Sequence, residues 1–374
     1  MSAPPLHPIV IWFGRVGDMI LLSALLEVLH RRYDSPCCVV GAGSWPAEIY
    51  AAHEDVERIC CLRRYTAFMF DRAWWSAWRA LRASRNDPVY VCEYDPRKLA
   101  RIQRLLTLSG TDPGRCLFIT REACFAQPHW VDRLVSFGRL TPPSLNAADY
   151  PWPSPAPLGA PHLQVARAAR AECAAWLEAR GWADRPLVLV QPGNRRTMRG
   201  RKLRAASADD KAWPIERWAA LLHRVHERLP QALIVLCGAP RESLLLSWIA
   251  SATRLAAVQP VELGLARLLA VCARAHSMIS VDTGPAHAAA ALSLPLVVLF
   301  GAHSQEEWLP RSPSGSPVVG VGGPPHSNRL DQVAVETVFA AWSALPGRPG
   351  TGSADPAGAA AGGTLRPGAS ATAP

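Results

Sequence analysis

One stretch constrains the fold of this chain more than any other. From Met278 to Val281 an apolar run ends on Asp282, turns through Thr283-Gly284-Pro285, and continues into the alanine-rich segment Ala286 to Leu292; Leu294 to Gly301 is then apolar again. Alanine has the highest helix propensity, and a short apolar run bounded by turn residues reads as a buried strand. The unit is strand, loop, helix, strand, which puts the two strands parallel in one sheet with helices packed over it. The loop also has chemical meaning. A helix N-terminus carries unpaired N–H groups and partial positive charge, so it can seat a phosphate. Gly284 lets a ligand approach the backbone, and Pro285 suits a first helical turn. Asp282 or Thr283 acting only as a helix cap would explain the same residues.

The same alternation runs through the chain. His7 to Phe13 reads as a strand, Gly14-Arg15-Val16-Gly17-Asp18 as a loop, Met19 to Arg32 as a helix, and Cys37 to Gly41 as the second strand. Gly41-Ala42-Gly43 follows a strand, but Pro46 stands at the sixth position and the strand is the second, so a dinucleotide fingerprint fails. Further strands are expected at 88–94 and 117–119, and helices at 97–108 and 129–140. The proline-dense segment between Pro142 and Pro161 cannot be regular helix or central strand. Residues 1–150 therefore form one α/β domain, 151–162 a linker and 163–345 a second α/β domain, with a Gly/Ala/Pro tail at 346–374 that reads as disordered. In the second domain, strands are expected at 187–191 and 232–237, and helices at 165–180, 215–228, 242–251, 263–273 and 332–345. Two such halves imply a cleft between them.

The formal charge of the 374 residues is +10, which calls for an anionic partner: a nucleotide, a phosphorylated lipid, a membrane surface or a nucleic acid. No nucleic-acid-reading motif accompanies the charge, so nucleic acid is set aside. The ten cysteines show no C-x-x-C and no zinc spacing, and most lie in apolar runs; they read as core residues of a reducing compartment, with no metal site expected. Met1 to Pro8 lacks the pattern of a signal peptide and no apolar stretch is long enough to span a bilayer. The expectation is a cytoplasmic protein that at most touches the inner membrane from outside. Trp74, Trp75 and Trp78 cluster in a basic segment, and packing explains them better than membrane insertion.

Three separated pieces match one family. Gly14-Arg15-Val16-Gly17-Asp18, Asp210-Lys211-Ala212-Trp213-Pro214 and Asp282-Thr283-Gly284-Pro285-Ala286-His287, each before a helix, resemble glycosyltransferase family 9, the lipopolysaccharide heptosyltransferases. The resemblance covers roughly residues 8 to 345. It implies two Rossmann-like domains in the GT-B arrangement, and inverting transfer of heptose from an ADP-activated donor to the phosphorylated, Kdo-bearing inner core of lipopolysaccharide. It also implies no required metal and no cofactor beyond the nucleotide sugar.

By this resemblance Asp18 is the base that takes the acceptor proton, although the residue alone also fits an N-cap. Lys211 matches the phosphate-binding lysine, with Thr283 and Gly284 at the helix terminus beside the departing diphosphate. Glu242 aligns with the acid that holds the ribose, or is an acidic first-turn residue favoured by the helix dipole. Asp282 aligns with a residue facing the donor sugar, and His287 with a histidine of the same pocket or a satisfied histidine on the helix face. Arg63, Arg64, Arg97 and Lys98 lie where the family binds its acceptor, though each also reads as solvated surface charge. One departure from the pattern is the basic segment Asn194 to Asp209, which lengthens the link to Lys211. It either closes over phosphates or is a loop with no catalytic part. Another nucleotide-sugar transferase, an epimerase of the same plan, or a non-catalytic scaffold binding nucleotide or lipopolysaccharide precursor would share much of this pattern.

Overall fold

The structure is a computed structural model that describes residues 5–62, 72–84, 86–194, 196–200, 202–203 and 211–348. In the N-terminal lobe, β1 (Ile9–Ile11), α1 (Val16–Tyr33), β2 (Cys37–Ala42), α2 (Trp45–Ile49), β3 (Val56–Leu62), α3 (Arg72–Ala83), β4 (Val89–Val91), α4 (Pro96–Ser109), β5 (Cys116–Phe118) and α5 (Trp130–Phe137) follow in turn. All strand pairs are parallel, in the order β3-β2-β1-β4-β5. Helix α1 is buried from Met19 to Leu29 because it is covered on every side, by its own sheet, by α5 and by the second lobe. In α3, Trp74 is buried and Trp75 is 39% exposed, the two rings meeting edge to face, so packing accounts for the first and solvent contact for part of the second.

The second lobe runs α6 (Arg167–Glu178), β6 (Leu187–Gln191), a short antiparallel hairpin of β7 (Met198–Arg199) and β8 (Lys202–Leu203), α7 (Ile215–Arg228), β9 (Leu233–Gly238), α8 (Ser243–Thr253), β10 (Val258–Glu262), α9 (Leu265–Arg274), β11 (Ser277–Val281), α10 (Gly284–Ala291), β12 (Leu296–Phe300), α11 (Gln305–Trp308), β13 (Val318–Gly322) and α12 (Val335–Ser343). Its six-stranded sheet is parallel throughout, in the order β10-β9-β6-β11-β12-β13. The expected two parallel α/β domains are present.

The segment between the lobes is a strap rather than a loose tether. It runs against one face of α1. Arg31 donates to the carbonyls of Pro155 and Ala156, the Glu27 carboxylate accepts from the Leu158 N–H at 3.0 Å, and Ser23 Oγ accepts from the His162 N–H at 3.0 Å. Positions 23, 27 and 31 repeat every four residues and so share a face. Proline removes ladder partners from such a segment, and these side chains supply others. At the other end, Arg348 donates to the carbonyls of Ala273 (2.7 Å) and Leu292 (2.8 Å), so the second lobe extends at least three residues beyond 345. The rest of the expected tail, 349–374, lies outside the described residues.

A second seam joins α5 to the loop after α11. Arg311 grips Asp132 through two parallel bonds of 2.6 and 2.7 Å, His129 Nε2 donates to the Leu309 carbonyl at 2.9 Å, and Trp130 packs on Trp308 with ring centroids 5.7 Å apart. The ion pair is about one-third exposed on both sides, so its net worth is modest. A double-mutant cycle with Arg311→Ala and Asp132→Ala is expected to return a coupling of about 1 kcal/mol in denaturant unfolding. A coupling near zero would show that the aromatic pair alone holds this seam.

Candidate active site

In a parallel sheet, ligands gather beyond the carboxyl ends of the strands where the strand order reverses. In the N-terminal sheet that point lies between β1 and β4, and in the second sheet between β6 and β11. The loops that leave these four strands carry most of the residues singled out above.

After β1 the chain reaches Arg15, whose extended backbone forms the N-cap of α1. Asp18 is the third residue of the helix, and its Oδ2 accepts from the Arg15 N–H at 2.7 Å. The helix thus starts three residues before the expected Met19. Asp18 is neither the end of the strand nor the N-cap, but the reciprocal partner in a capping box. Apolar periodicity begins only at Met19, so a start built from capping residues is not visible to it. Burial raises the Asp18 pKa, while the Arg15 N–H and the charges of Lys98 and Arg15 pull it back.

Beyond β4, Glu93 is buried and accepts from the N–H groups of Phe13, Tyr94 and Asp95. Lys98 Nζ donates to the Phe13 carbonyl at 2.9 Å and stands 3.6 Å from Glu93 Oε2. Lys98 therefore joins the pocket of Asp18, whereas the Arg97 side chain is exposed at the surface, as its solvated reading has it. Arg63 and Arg64 lie outside the described residues. Tyr94, 41% exposed, borders the same place: burial and the charges of Asp18 and Glu93 push its phenol up to about 12.

In the second lobe, β11 ends on Asp282, which is buried. Lys211 Nζ donates to its Oδ2 at 2.6 Å and to its main-chain carbonyl at 2.8 Å, and His303 Nδ1 lies 2.9 Å from the same Oδ2. Burial would raise the Asp282 pKa, but the His303 bond and the Lys211 charge hold it at about 2. Thr283 is the N-cap of α10 by backbone, yet its hydroxyl donates back to the Val281 carbonyl at 3.1 Å, and no side chain caps the helix. The capping explanation of Asp282 and Thr283 is thereby answered: neither side chain caps α10, whose Ala286 and His287 N–H groups bond to the Thr283 carbonyl.

Glu242 closes a 3-10 turn, Pro240–Glu242, one residue before α8 begins, so the helix expected from Glu242 starts at Ser243. Its Oε2 accepts from the Ala239 N–H at 2.8 Å. Its Oε1 is buried beside Gly193, where a Cβ would come within 2.6 Å of it, and the Gln191 side chain lies close to the carboxylate. Burial raises its pKa. It is no surface dipole residue but a carboxylate under the turn that leaves β6. Of Asn194 to Asp209, the described part is a tight turn, in which Asn194 Oδ1 accepts from the Arg196 N–H at 2.7 Å, and the β7–β8 hairpin. The remainder, with Asp210, lies outside the described residues.

The two lobes meet where α1 and α10 begin. A Cβ on Gly284 would stand 3.1 Å from Val16 Cγ1 and 3.2 Å from the Gly17 nitrogen, and one on Gly17 would stand 3.4 Å from His287 Cδ2. A side chain at Gly284 would therefore push the two helix ends apart, whereas one at Gly17 would make ordinary contact. His287 is buried there with an unpartnered Nδ1, and burial lowers its pKa to about 4, so its ring is neutral near pH 7. The loops that hold Asp18 and Lys98 thus approach those that hold Lys211, Asp282, Thr283, Gly284 and His287 where Gly17 meets Gly284 and His287, and Glu242 lies on the loop after β9.

Sequence reasoning missed His303, which shares the Asp282 carboxylate. It also missed the aromatic wall of Trp12, Tyr94, Trp130 and Trp308, linked by centroid distances of 5.0 to 5.7 Å. Neither has a local signal, because the partners come from separate loops. The crevice combines a carboxylate that can accept a proton, a helix N-terminus beside a lysine, and the accessible rings of Tyr94 and Trp308, backed by the buried Trp12 and Trp130.

Comparison with known proteins gives the family and the fold. A model of glycosyltransferase family 9 (heptosyltransferase) matches residues 116–328, more than half of the chain, a span that includes every second-lobe site residue named above but not Asp18. No curated protein sequence matches. Among solved structures, a glycosyl transferase of family 9 from Veillonella parvula is similar with TM-score 0.70 and 14% identity over 92% of this chain and 97% of that one. The ADP-heptose lps heptosyltransferase II of E. coli gives 0.68 and 20% identity over 91% and 98%. The E. coli heptosyltransferase WaaC with ADP gives 0.62 and 20% over 90% and 99%. The fold is that of the GT-B heptosyltransferases, and the chain belongs to glycosyltransferase family 9, the heptosyltransferases, as a glycosyltransferase.

Proposed function

We propose that the protein transfers a heptose from ADP-heptose to the phosphorylated inner core of a lipopolysaccharide precursor, with inversion at the anomeric carbon and with no metal or other cofactor required for the transfer. The observation that carries this reading is the contact of the first turn of α1, which holds Asp18, with Gly284 at the start of α10, next to the Lys211–Asp282 pair. Asp18 Oδ2 is held by Arg15, which leaves the other carboxylate oxygen to take the proton of the acceptor hydroxyl. The hydroxyl oxygen forms the new bond to the anomeric carbon as the bond to the phosphate oxygen breaks, and that electron pair leaves with ADP. The α10 amides and the Lys211 cation lie where this negative charge collects. Glu242, a buried acceptor at the carboxyl end of the sheet, suits a pair of ribose hydroxyls. Lys98 and Tyr94 face the acceptor side, and the net charge of +10 suits a phosphorylated lipid at the inner membrane. That placement assigns the protein to the cytoplasm; among the described residues no helix is long and apolar enough to cross a membrane.

The test is a thermal-shift comparison of ADP, UDP, GDP and NAD, each at saturating concentration. ADP is expected to raise the unfolding midpoint well above the other three, since a ligand selective for the native state stabilises it by mass action. An equal or larger response to UDP would replace the donor assignment with another nucleotide sugar.

A further inference from the structure

A second cluster lies away from the crevice, at the amino ends of the N-terminal strands, where the chain passes from one lobe to the other. Asp55 immediately precedes β3 and is buried. His162 Nε2 stands 3.1 Å from Asp55 Oδ2, and His53 Nδ1 stands 3.6 Å from the same oxygen. The three donor atoms lie within 4.8 Å of one another. Although both ring nitrogens are close, Asp55 Oδ2 satisfies hydrogen-bond geometry with neither and is fully buried. A carboxylate oxygen shut away from water needs a partner.

The outer contacts fit ligation better than simple pairing. His53 Nε2 is 3.0 Å from the His162 carbonyl, which can only accept, so Nε2 carries the proton and Nδ1 presents a lone pair towards Asp55. The Asp55 N–H lies 3.4 Å from that Nδ1, at the outer limit of a hydrogen bond. Asp55 Oδ1 is occupied by His30 Nδ1 at 2.6 Å, which orients the carboxylate and leaves Oδ2 as the ligand atom. A ligating histidine that donates its other N–H to a carbonyl, and a ligating carboxylate bonded from behind, are the usual supports of a metal centre. His162 Nδ1 is buried without a partner and Nε2 faces the Asp55 carboxylate, so in the metal-free protein Nε2 carries a proton that a bound metal would displace.

We infer that His53, Asp55 and His162 form a binding site for a divalent transition metal of the zinc class, which pins the interlobe strap to the N-terminal lobe. Two imidazoles and one carboxylate are borderline donors suited to zinc, with the fourth tetrahedral position left to water. The role is structural. The His162 N–H is bonded to Ser23 on α1 in the first lobe, while the N–H of the next residue, Leu163, donates to the Ala291 carbonyl of α10 in the second at 3.2 Å. A metal here holds the chain at the point about which the lobes would hinge. The expectation of no metal site rested on cysteine content and on spacing along the chain, and His162 is separated from Asp55 by more than a hundred residues.

The test uses the full chain without a histidine tag, produced with zinc supplied and dialysed against metal-free buffer. About one zinc per chain is expected by elemental analysis. Removal by chelator should lower the unfolding midpoint by several degrees, and zinc should restore it. His53→Asn with His162→Asn should abolish both effects. Cobalt substituted for zinc should give the intense visible bands of a tetrahedral site without a thiolate charge-transfer band, a readout that needs no variant to fold. Wild-type protein that retains no zinc and shows no zinc-dependent shift would overturn the inference and leave the cluster as a buried ion-pair latch. Unchanged stoichiometry in the double variant, or a thiolate band from cysteine ligation, would overturn it equally.

Discussion

Replacing Asp18 with asparagine should lower turnover by about 10³-fold while the protein stays folded and still binds its donor. The capping box makes this substitution informative. Asparagine keeps an oxygen that can accept from the Arg15 N–H, so the start of α1 survives, but the group can no longer take a proton. Asp18→Ala removes both roles and should cost a further ~1 kcal/mol of stability. The pH dependence follows from the raised pKa. Because burial lifts the folded-state value above the unfolded one, Asp18 adds stability only below the unfolded pKa, and that contribution is lost as pH rises through the folded pKa. At neutral pH the asparagine variant should therefore be as stable as wild type or slightly more so. The acidic limb of kcat/KM in wild type should lie above the range of an ordinary carboxylate and be absent in Asp18→Asn. Initial rates across pH, with thermal unfolding of both variants, check these outcomes; retained turnover in Asp18→Asn would remove Asp18 from the base role.

Much of the fold was legible because a parallel sheet writes itself as apolar runs, and the runs at β6, β9, β11 and β12 are buried at every position. Two strands of the second sheet were not expected, β10 and β13, and they sit at its opposite edges. β10 contains Pro260 and alternates in burial; β13 contains Gly320 and Gly322 and is mostly half-buried, so neither presents the signal of a central strand. The crevice was legible where its chemistry is local, as in the turn from Asp282 to His287. His303 was not, since it reaches Asp282 from the next loop. The strap was visible only as a lack of regular structure: proline density predicts where helix and strand stop, but not that Ser23, Glu27 and Arg31 along α1 would hold the segment. Lys98 and Arg97 were indistinguishable in sequence, and the helical rotation of α4 separates them into an inward and an outward charge.

Lys211→Ala should be the most damaging single change to the second lobe, because it acts on stability and catalysis through one contact. The side chains of Lys211 and Asp282 are 17% and 6% exposed, so removing the lysine leaves a largely buried carboxylate with the His303 ring as its remaining side-chain hydrogen-bond partner. Breaking one side of such a pair costs about 3 kcal/mol, most of it from the stranded charge rather than the lost bond. The double variant Lys211→Met with Asp282→Asn should recover part of that loss, whereas it cannot recover activity, since the cation beside α10 is gone in both. The sign of the pH dependence separates this from a general loss of packing. Asp282 is held at about 2, below its unfolded value, so its contribution is present above the unfolded pKa and is lost as pH falls from about 4 through 2. The stability gap between wild type and Lys211→Ala, measured by urea unfolding, should be widest near neutral pH and should narrow towards pH 4 and below. A gap independent of pH would mean that Lys211 stabilises the lobe by packing of its stem alone, and the ion pair would then have no part in holding α10 ready for an anion.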